Sequence, residues 1–272
     1  MLHLMGIGYK KEHITIEEME ILKNSDKIFL EYYTSFFENS FEELEEFIGK
    51  KITICDRDLI ESRIEEEIIN PAKDKEISLI ILGDPLIATT HTDLLLRAKE
   101  LEVEAKVYNN VSVGNFITRT GLQFYKFGKI TSIPFFSEKF MPRTPYLVYL
   151  DNVRIGAHSL FLLDLNPSND VAYKGHERYL KAYKSLEFLK DIPKLMLENE
   201  EIEENDIVEI TDETEAVICS RLGFSDEKII YGEVKSLVEY DKNNDLKEPI
   251  CVIIPGDMHE MEQTFLEQFR IE

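Results

Sequence analysis

ISLIILGDPLIATTHTDLLLRAKEL, residues 77–101, reads as a strand, a tight turn and a helix. Ile77 to Leu82 is a nearly continuous apolar run rich in isoleucine, the pattern of a strand buried on both faces in a parallel sheet covered by helices. Gly83-Asp84-Pro85 stops it. Pro85 has no N–H to give to a ladder, and Gly83 tolerates backbone conformations that other residues avoid. Thr90 is placed to cap the helix, with Asp93 three residues on as a variant capping box. Leu94, Leu95, Ala98 and Leu101 form its apolar stripe. In open α/β sheets ligands lie beyond the carboxyl ends of strands. This turn is therefore either a binding turn or a connecting loop with a structural acid.

The same alternation continues on both sides. Leu2 to Met5 is a strand leading into Gly6-Ile7-Gly8, and a helix follows from Ile14 or Thr15 to Lys23. Strands are expected at 27–31, 52–55 and 105–109, and helices at 41–48, 60–69 and from Ser112 towards Leu122. Such alternation implies right-handed crossovers and a mostly parallel sheet. Tyr125-Lys126-Phe127-Gly128-Lys129 breaks the pattern, which divides the chain into an N-terminal α/β domain, 1–128, and a C-terminal one, 129–272. In the second, strands are expected at 130–136, 158–164, 215–220, 228–232 and 250–254, with helices at 173–190, 233–240 and 258–269. Residues 191–212 are acidic and unassigned. Gly6-x-Gly8 is an incomplete dinucleotide fingerprint, because Lys11 stands where GxGxxG needs its third glycine. An oxidoreductase reading would rest on that fragment alone.

The 272 residues suit two domains of ordinary size, and 43% hydrophobic with 31% charged residues is a globular composition. A formal charge of −22 argues against nucleic acid or an anionic membrane as the main partner. No apolar run approaches a membrane span, and the N-terminus lacks a signal-peptide pattern. Cys55, Cys219 and Cys251 are far apart and odd in number, which points to a reducing cytoplasm and away from a disulfide framework or a zinc site. The six histidines include no HxxxH pair, so no metal is called for.

Several separate stretches together resemble one family. They are Met5-Gly6-Ile7-Gly8, Glu31-Tyr32-Tyr33-Thr34-Ser35, Gly83 through Asp93, Asn110-Val111-Ser112, Gly121 through Gly128, His158 through Asp164, and Ile254-Pro255-Gly256 with His259. The pattern is similar to that of the diphthine synthase family, within the tetrapyrrole methylase-like fold. GDP is shared across the superfamily, whereas GDPxxATTHxD and GLQxYKFG are specific to this branch. The resemblance implies two α/β domains with mostly parallel or mixed sheets, the cofactor in the interdomain cleft, and a cytoplasmic homodimer. It implies S-adenosylmethionine as methyl donor, S-adenosylhomocysteine as product, and the modified histidine of elongation factor 2 as acceptor, giving diphthine or its methyl ester. The EYYTS and GLQxYKFG wording is closer to the eukaryotic members, whereas Arg119-Thr120 stands where those members tend to carry a Cys pair.

Carried over by position, the implied cofactor contacts are Tyr9, Asp84, Ile87, Ser112, Val113, Leu163, Leu222 and Ile250. Tyr9, Leu222 and Ile250 depart from the usual family residues and fit backbone or apolar contacts. Each has an ordinary reading too: Ser112 as an N-cap, Leu163 and Ile250 as strand core. His91 reads as a first-turn helix residue and His158 as structural, while Tyr32 and Tyr33 either line a cleft or pack. Methyl transfer from a sulfonium needs a neutral amine held in line about 3 Å from the methyl, with water excluded. No catalytic base is assigned. Two other classes remain: a small-molecule methyltransferase of the same fold, and a non-catalytic protein that binds elongation factor 2.

Overall fold

The structure is a computed structural model and describes residues 1–33, 35–137, 139–165 and 179–271. It forms two compact units, the first spanning Met1–Phe116 and the second beginning at Ile117.

The isoleucine run becomes β4, Ile77–Ile81, buried at every residue. It lies inside a five-stranded sheet with β1 (Leu2–Gly6), β2 (Lys27–Glu31), β3 (Ile52–Cys55) and β5 (Ala105–Tyr108), in the order β3-β2-β4-β1-β5. All four pairings are parallel. Alternate side chains feed two cores. Leu2, Leu4, Leu79 and Ile81 pack with Ile64, Ile68, Leu94 and Ala98 on one face, and Met5, Leu30 and Ile80 pack with Leu22, Leu44 and Ile48 on the other. The last three belong to α1 (Ile16–Asn24) and α2 (Phe41–Ile48), each opened by a capping box, Thr15 with Glu18 and Ser40 with Glu43. From β1 the chain leaves towards β2, and from β4 towards β5 on the opposite side. The carboxyl ends of β1 and β4, side by side, are therefore the switch point of this sheet, where α/β proteins place ligands.

The second unit has a mixed sheet, order β6-β7-β10-β8-β9, from Thr131–Ile133, Ser159–Leu163, Ile250–Ile254, Glu215–Ser220 and Lys228–Glu233. Among the described residues, only β6 and β7 pair in parallel within this sheet. Its core draws on α6 (Thr144–Val153), α7 (Ala182–Glu198) and α8 (Val234–Asn243) through Tyr146, Leu186, Leu189, Ile192 and Leu237.

Several expectations need correction. Thr90 does not cap the helix after the GDP turn: α4 is Thr92–Glu100, and His91 holds the N-cap position without a side-chain cap bond. The helix expected over 112–122 is one turn, α5 (Val113–Phe116), with a tighter turn at Ile117–Thr120. The helix expected over 60–69 is instead α3 (Arg57–Ser62) followed by a wide turn at Glu65–Ile69. The helix α6 was unassigned; Pro145 sits in its first turn, where a missing N–H costs nothing. The helix expected over 173–190 lies partly outside the described residues, and α7 continues to Glu198 across Pro193. The first unit ends at Phe116 rather than at Gly128. Gly128 donates its N–H to the carbonyl of His158, and Gln123 donates to Glu262, so the GLQFYKFG stretch is bonded into the second unit.

Candidate functional site

At the switch point β1 and β4 do not simply end. Gly8 and Gly83 exchange both backbone hydrogen bonds, Gly8 N–H to Gly83 O at 3.1 Å and Gly83 N–H to Gly8 O at 2.9 Å. That crossing explains the glycines: a Cβ on Gly6 would overlap the Gly83 carbonyl oxygen, and Gly83 has φ +83°. The Gly6-x-Gly8 motif is thus a device for close chain crossing.

Tyr9 follows immediately, and its ring lies over Gly83. Its hydroxyl accepts the Val113 N–H at 2.9 Å, which ties the first loop to the start of α5. Ser112 is buried there as the residue before that turn: its Oγ accepts from Gly114 N–H at 3.3 Å, and its own N–H goes to Asn115 Oδ1 at 3.1 Å. Ile87 arches over the same glycine, its side chain in van der Waals range of a Cβ at Gly114, yet it stays 41% exposed. An isoleucine that open on a rigid loop presents apolar surface to a ligand or to solvent. Tyr9, Asp84, Ile87, Ser112 and Val113 are therefore brought together on one sheet end.

Asp84 is buried and organises this site from within. Oδ1 accepts the N–H groups of Leu86 and Ile87 at 2.8 and 3.1 Å, and Oδ2 accepts Asn109 Nδ2 and the Asn110 N–H, each at 3.0 Å. Four donors fill the four acceptor positions of a carboxylate. Asp84 consequently fixes the GDP turn against the end of β5, and its influence on any ligand runs through the loop it shapes. Asn110 works beside it, donating to Gly6 O and His13 O at 3.1 Å and to Glu18 at 3.0 Å. Neither Asn109 nor Glu18 was singled out in the sequence; Asn110 was visible only as part of NVS.

The far side of the loop is held by a residue pair that spacing alone does not reveal. Glu31, the last residue of β2 and fully buried, meets His91 Nε2 at 2.5 Å. His91 Nδ1 lies 3.0 Å from the carbonyl of Pro85, which also accepts from Thr89 Oγ1 at 2.7 Å. Burial opposes a charge on the ring, but Glu31 and the Pro85 carbonyl outweigh it and hold the His91 pKa above its ordinary value. His91 is a loop lock, neither free base nor helix cap. Of the neighbouring tyrosines, Tyr32 packs edge-on against Phe41 at 4.4 Å and Tyr33 packs against the core that contains Leu59 and Ile60.

In the second unit, Leu163, Leu222 and Ile250 are all buried. Ile250 pairs with Ser220, and Leu162 pairs with Cys251, so Leu163 stands one step along the register at the same end of the sheet. Arg221, at φ +54°, donates its N–H to Pro249 O at 2.8 Å and turns the chain into Leu222. The structure thus gathers these three at one sheet end, with Leu163 and Ile250 also in the core.

Glu262 explains most of the remaining motifs of this unit. It is 1% exposed and accepts from Gln123 N–H (2.8 Å), Lys126 Nζ (2.6 Å), His158 Nε2 (3.0 Å) and His259 N–H (2.7 Å). Burial alone would raise its pKa, but those four donors carry it down to about 2. His158 Nδ1 in turn accepts the Gly256 N–H at 2.9 Å, so its ring is neutral, and burial lowers its pKa. GLQFYKFG, HSLFLLD and PGDMHE are in this way sequence traces of one buried network.

The residues of the first unit fit a nucleoside that carries no phosphate. Loops 83–93 and 109–116 contain no Lys or Arg, Asp84 offers no spare lone pair, and exposed apolar Ile87 stands beside half-buried Gly114. Among the described residues, no group of three or more His, Cys, Asp or Glu could hold a metal ion, and no helix is long and apolar enough to cross a membrane.

The comparisons agree with this geometry. The family model for Tetrapyrrole (Corrin/Porphyrin) Methylases matches residues 1–238. A diphthine synthase of Methanococcus aeolicus is 38% identical over 98% of this chain and 97% of its own. A diphthine methyl ester synthase of Aspergillus fumigatus is 34% identical over 100% of this chain and 94% of its own. A solved structure from Entamoeba histolytica, described as a diphthine synthase, superposes with a TM-score of 0.84 at 31% identity, covering 100% of this chain and 98% of that one. With both its sequence matched almost end to end and its fold reproduced, the chain belongs to the tetrapyrrole methylase family.

Proposed function

We propose that this chain is an S-adenosylmethionine-dependent methyltransferase of diphthamide biosynthesis, acting on the modified histidine of elongation factor 2 to give diphthine or its methyl ester. Its relatives at 34–38% identity carry the names diphthine synthase and diphthine methyl ester synthase. The observation that carries the cofactor assignment is the loop set at the switch point, where Tyr9, Asp84, Ile87, Ser112 and Val113 converge and where loops 83–93 and 109–116 carry no Lys or Arg. In the second unit, Leu163, Leu222 and Ile250 are the proposed contribution. S-adenosylmethionine, when bound, supplies a methyl already activated by its sulfonium. The chain's own part is to bind, orient and exclude water: Asp84 and Asn110 fix the loops, Tyr9 ties them together, and Ile87 and Val113 offer apolar contact. A desolvated pocket also favours the neutral acceptor amine, because burial lowers an amine pKa. The protein acts as a homodimer in the cytoplasm, where its three buried free cysteines stay reduced.

Mass spectrometry of the elongation-factor intermediate after incubation with enzyme and cofactor is the test. Addition of methyl increments to that histidine is expected, and their number separates diphthine from its ester. Tight cofactor binding by calorimetry with no methylation of the factor would move the chain to a small-molecule acceptor. Absence of cofactor binding at any accessible concentration would make it a non-catalytic binding protein.

A further inference from the structure

We propose that Glu31 and His91 are a positioning pair that holds loop 83–89 in its cofactor-receiving shape through one proton lodged between ring Nε2 and carboxylate Oε2, so that cofactor affinity depends on that proton. The inference rests on the cofactor assignment above and deepens it. Three observations carry it. Both ring nitrogens of His91 face oxygens, the Pro85 carbonyl at 3.0 Å and the Glu31 carboxylate at 2.5 Å, so the ring and the carboxyl together must hold a proton at each contact. Both partners are buried, which leaves no water to replace either bond. The loop they hold contains Ala88 at φ +57°, a conformation an alanine rarely adopts without surrounding restraint.

The loop therefore has two anchors. Asp84 pins its first half through the Leu86 and Ile87 N–H groups, and His91 pins its second half through the Pro85 carbonyl. Exposed Ile87 stands between the anchors. The pair also joins two sequence motifs 60 residues apart, EYYTS and ATTHTD. Cys55 and Tyr33 also feel Glu31, and burial pushes the Cys55 thiol up to about 12 and raises the Tyr33 hydroxyl as well. Both stay neutral near pH 7.

The test combines a spectroscopic titration with a binding series on the full chain. In the wild type, NMR of the histidine Cε1–H groups should place the His91 midpoint above that of a free imidazole. Calorimetry with S-adenosylhomocysteine should then show affinity constant below that midpoint and falling above it. His91→Ala should weaken binding by about tenfold or more, the factor of one lost charged hydrogen bond. Glu31→Gln keeps the carbonyl contact and removes the counter-charge, so the fall in affinity should move to lower pH. Ile192→Val, a core change in the second unit, serves as the stability control and should leave affinity unchanged. A His91 midpoint at or below the free value would overturn the proposal. So would variants that melt earlier yet bind S-adenosylhomocysteine with wild-type affinity and an unmoved pH profile, because the pair would then be structural only. If the wild type itself fails to bind while the His91 titration behaves as described, the cofactor assignment fails and the proton lock stands.

Discussion

Each unit holds a histidine–glutamate pair buried on both sides, His91–Glu31 in the first and His158–Glu262 in the second, and the two pairs hold their protons in opposite ways. In the first unit His91 sits between Glu31 and a carbonyl, two acceptors, and its pKa is raised. In the second, His158 sits between Glu262 and the N–H of Gly256, an acceptor and a donor, and its pKa is lowered. Burial is comparable, 5% against 0% exposure, and a carboxylate is present in both. What differs is the second partner. A donor aimed at Nδ1 forces the neutral tautomer, and an acceptor there demands a proton. The role follows from the partner: one pair locks a loop at the candidate site, while the other belongs to a structural hub.

The largest effect expected from this contrast is at Glu262. Glu262→Ala would strand two backbone N–H groups and the buried His158 ring N–H, and would take its ion-pair partner from the partly exposed Lys126 ammonium. Removing one partner of such a buried charged network costs about 3–5 kcal/mol. Chemical denaturation should show that loss, and a loss below 1 kcal/mol, on the order of a surface change, would remove Glu262 from its central place. Asp84→Ala comes next, at about 2–3 kcal/mol, because its four N–H partners lie in two loops that water partly reaches. It should also weaken cofactor binding through the released loop. Asp84→Asn should rescue little, since its amide N–H₂ would face the Asn109 and Asn110 donors. Melting and calorimetry on both variants decide it, and full rescue by Asn would show that the donor contacts are dispensable.

A pH comparison separates the units without mutation. Glu262 has a folded pKa of about 2 against an ordinary 4.5, so its stabilisation is complete above 4.5 and is lost as pH falls towards 2. His158 is depressed as well, so its contribution is present above the ordinary histidine pKa of 6.5 and also fades on acidification. His91 is raised, so its contribution is complete below 6.5 and is lost as pH rises through its folded value. Acid should therefore open the second unit first, and alkali should loosen the loop at the first sheet end. Hydrogen exchange across pH, corrected for intrinsic rates, reads both. Equal acid loss of protection around Pro85 and around Gly256 would erase the distinction.

Much of this fold was legible from periodicity. The strands at 27–31, 52–55, 215–220 and 250–254 and the helix at 41–48 lie where their apolar patterns put them. The mixed second sheet could not be ordered from the chain, since β10 inserts between β7 and β8 only through tertiary packing. The start of α4 was misplaced: Thr90 looked like a cap, but the N-cap position falls to buried His91, whose ring is bonded to Glu31. At the site, GDP marked the right turn because glycine and proline punctuate the backbone. The pairings of His91 with Glu31 at the turn and of His158 with Glu262 in the second unit were opaque, because the partners lie 60 and 104 residues apart, where spacing carries no information. Glu262 was invisible for the same reason, and Asn110 stood out only as part of its motif and not for its bonds to Gly6 and Glu18.

The smallest expected effect tests the contrast most finely. His158 could be neutral because Gly256 donates to it, or because the Lys126 ammonium nearby repels a second positive charge. Burial is the main cause of its lowered pKa and the Lys126 charge adds to it, while Glu262 and Asp257 work in the opposite direction. Lys126→Met removes the ammonium and keeps much of the apolar stem, leaving the Gly256 N–H in place. Lys126 is partly exposed, so solvent screens its charge and the cost to stability should stay near 1 kcal/mol. If the backbone donor decides the tautomer, His158 should shift upward only slightly and remain neutral at pH 7. NMR of its Cε1–H group measures this directly, with His91 in the same spectrum as an internal reference that the change should not move. A His158 that became charged at neutral pH in this variant would show that the lysine, and not the second hydrogen-bond partner, sets the difference between the two pairs.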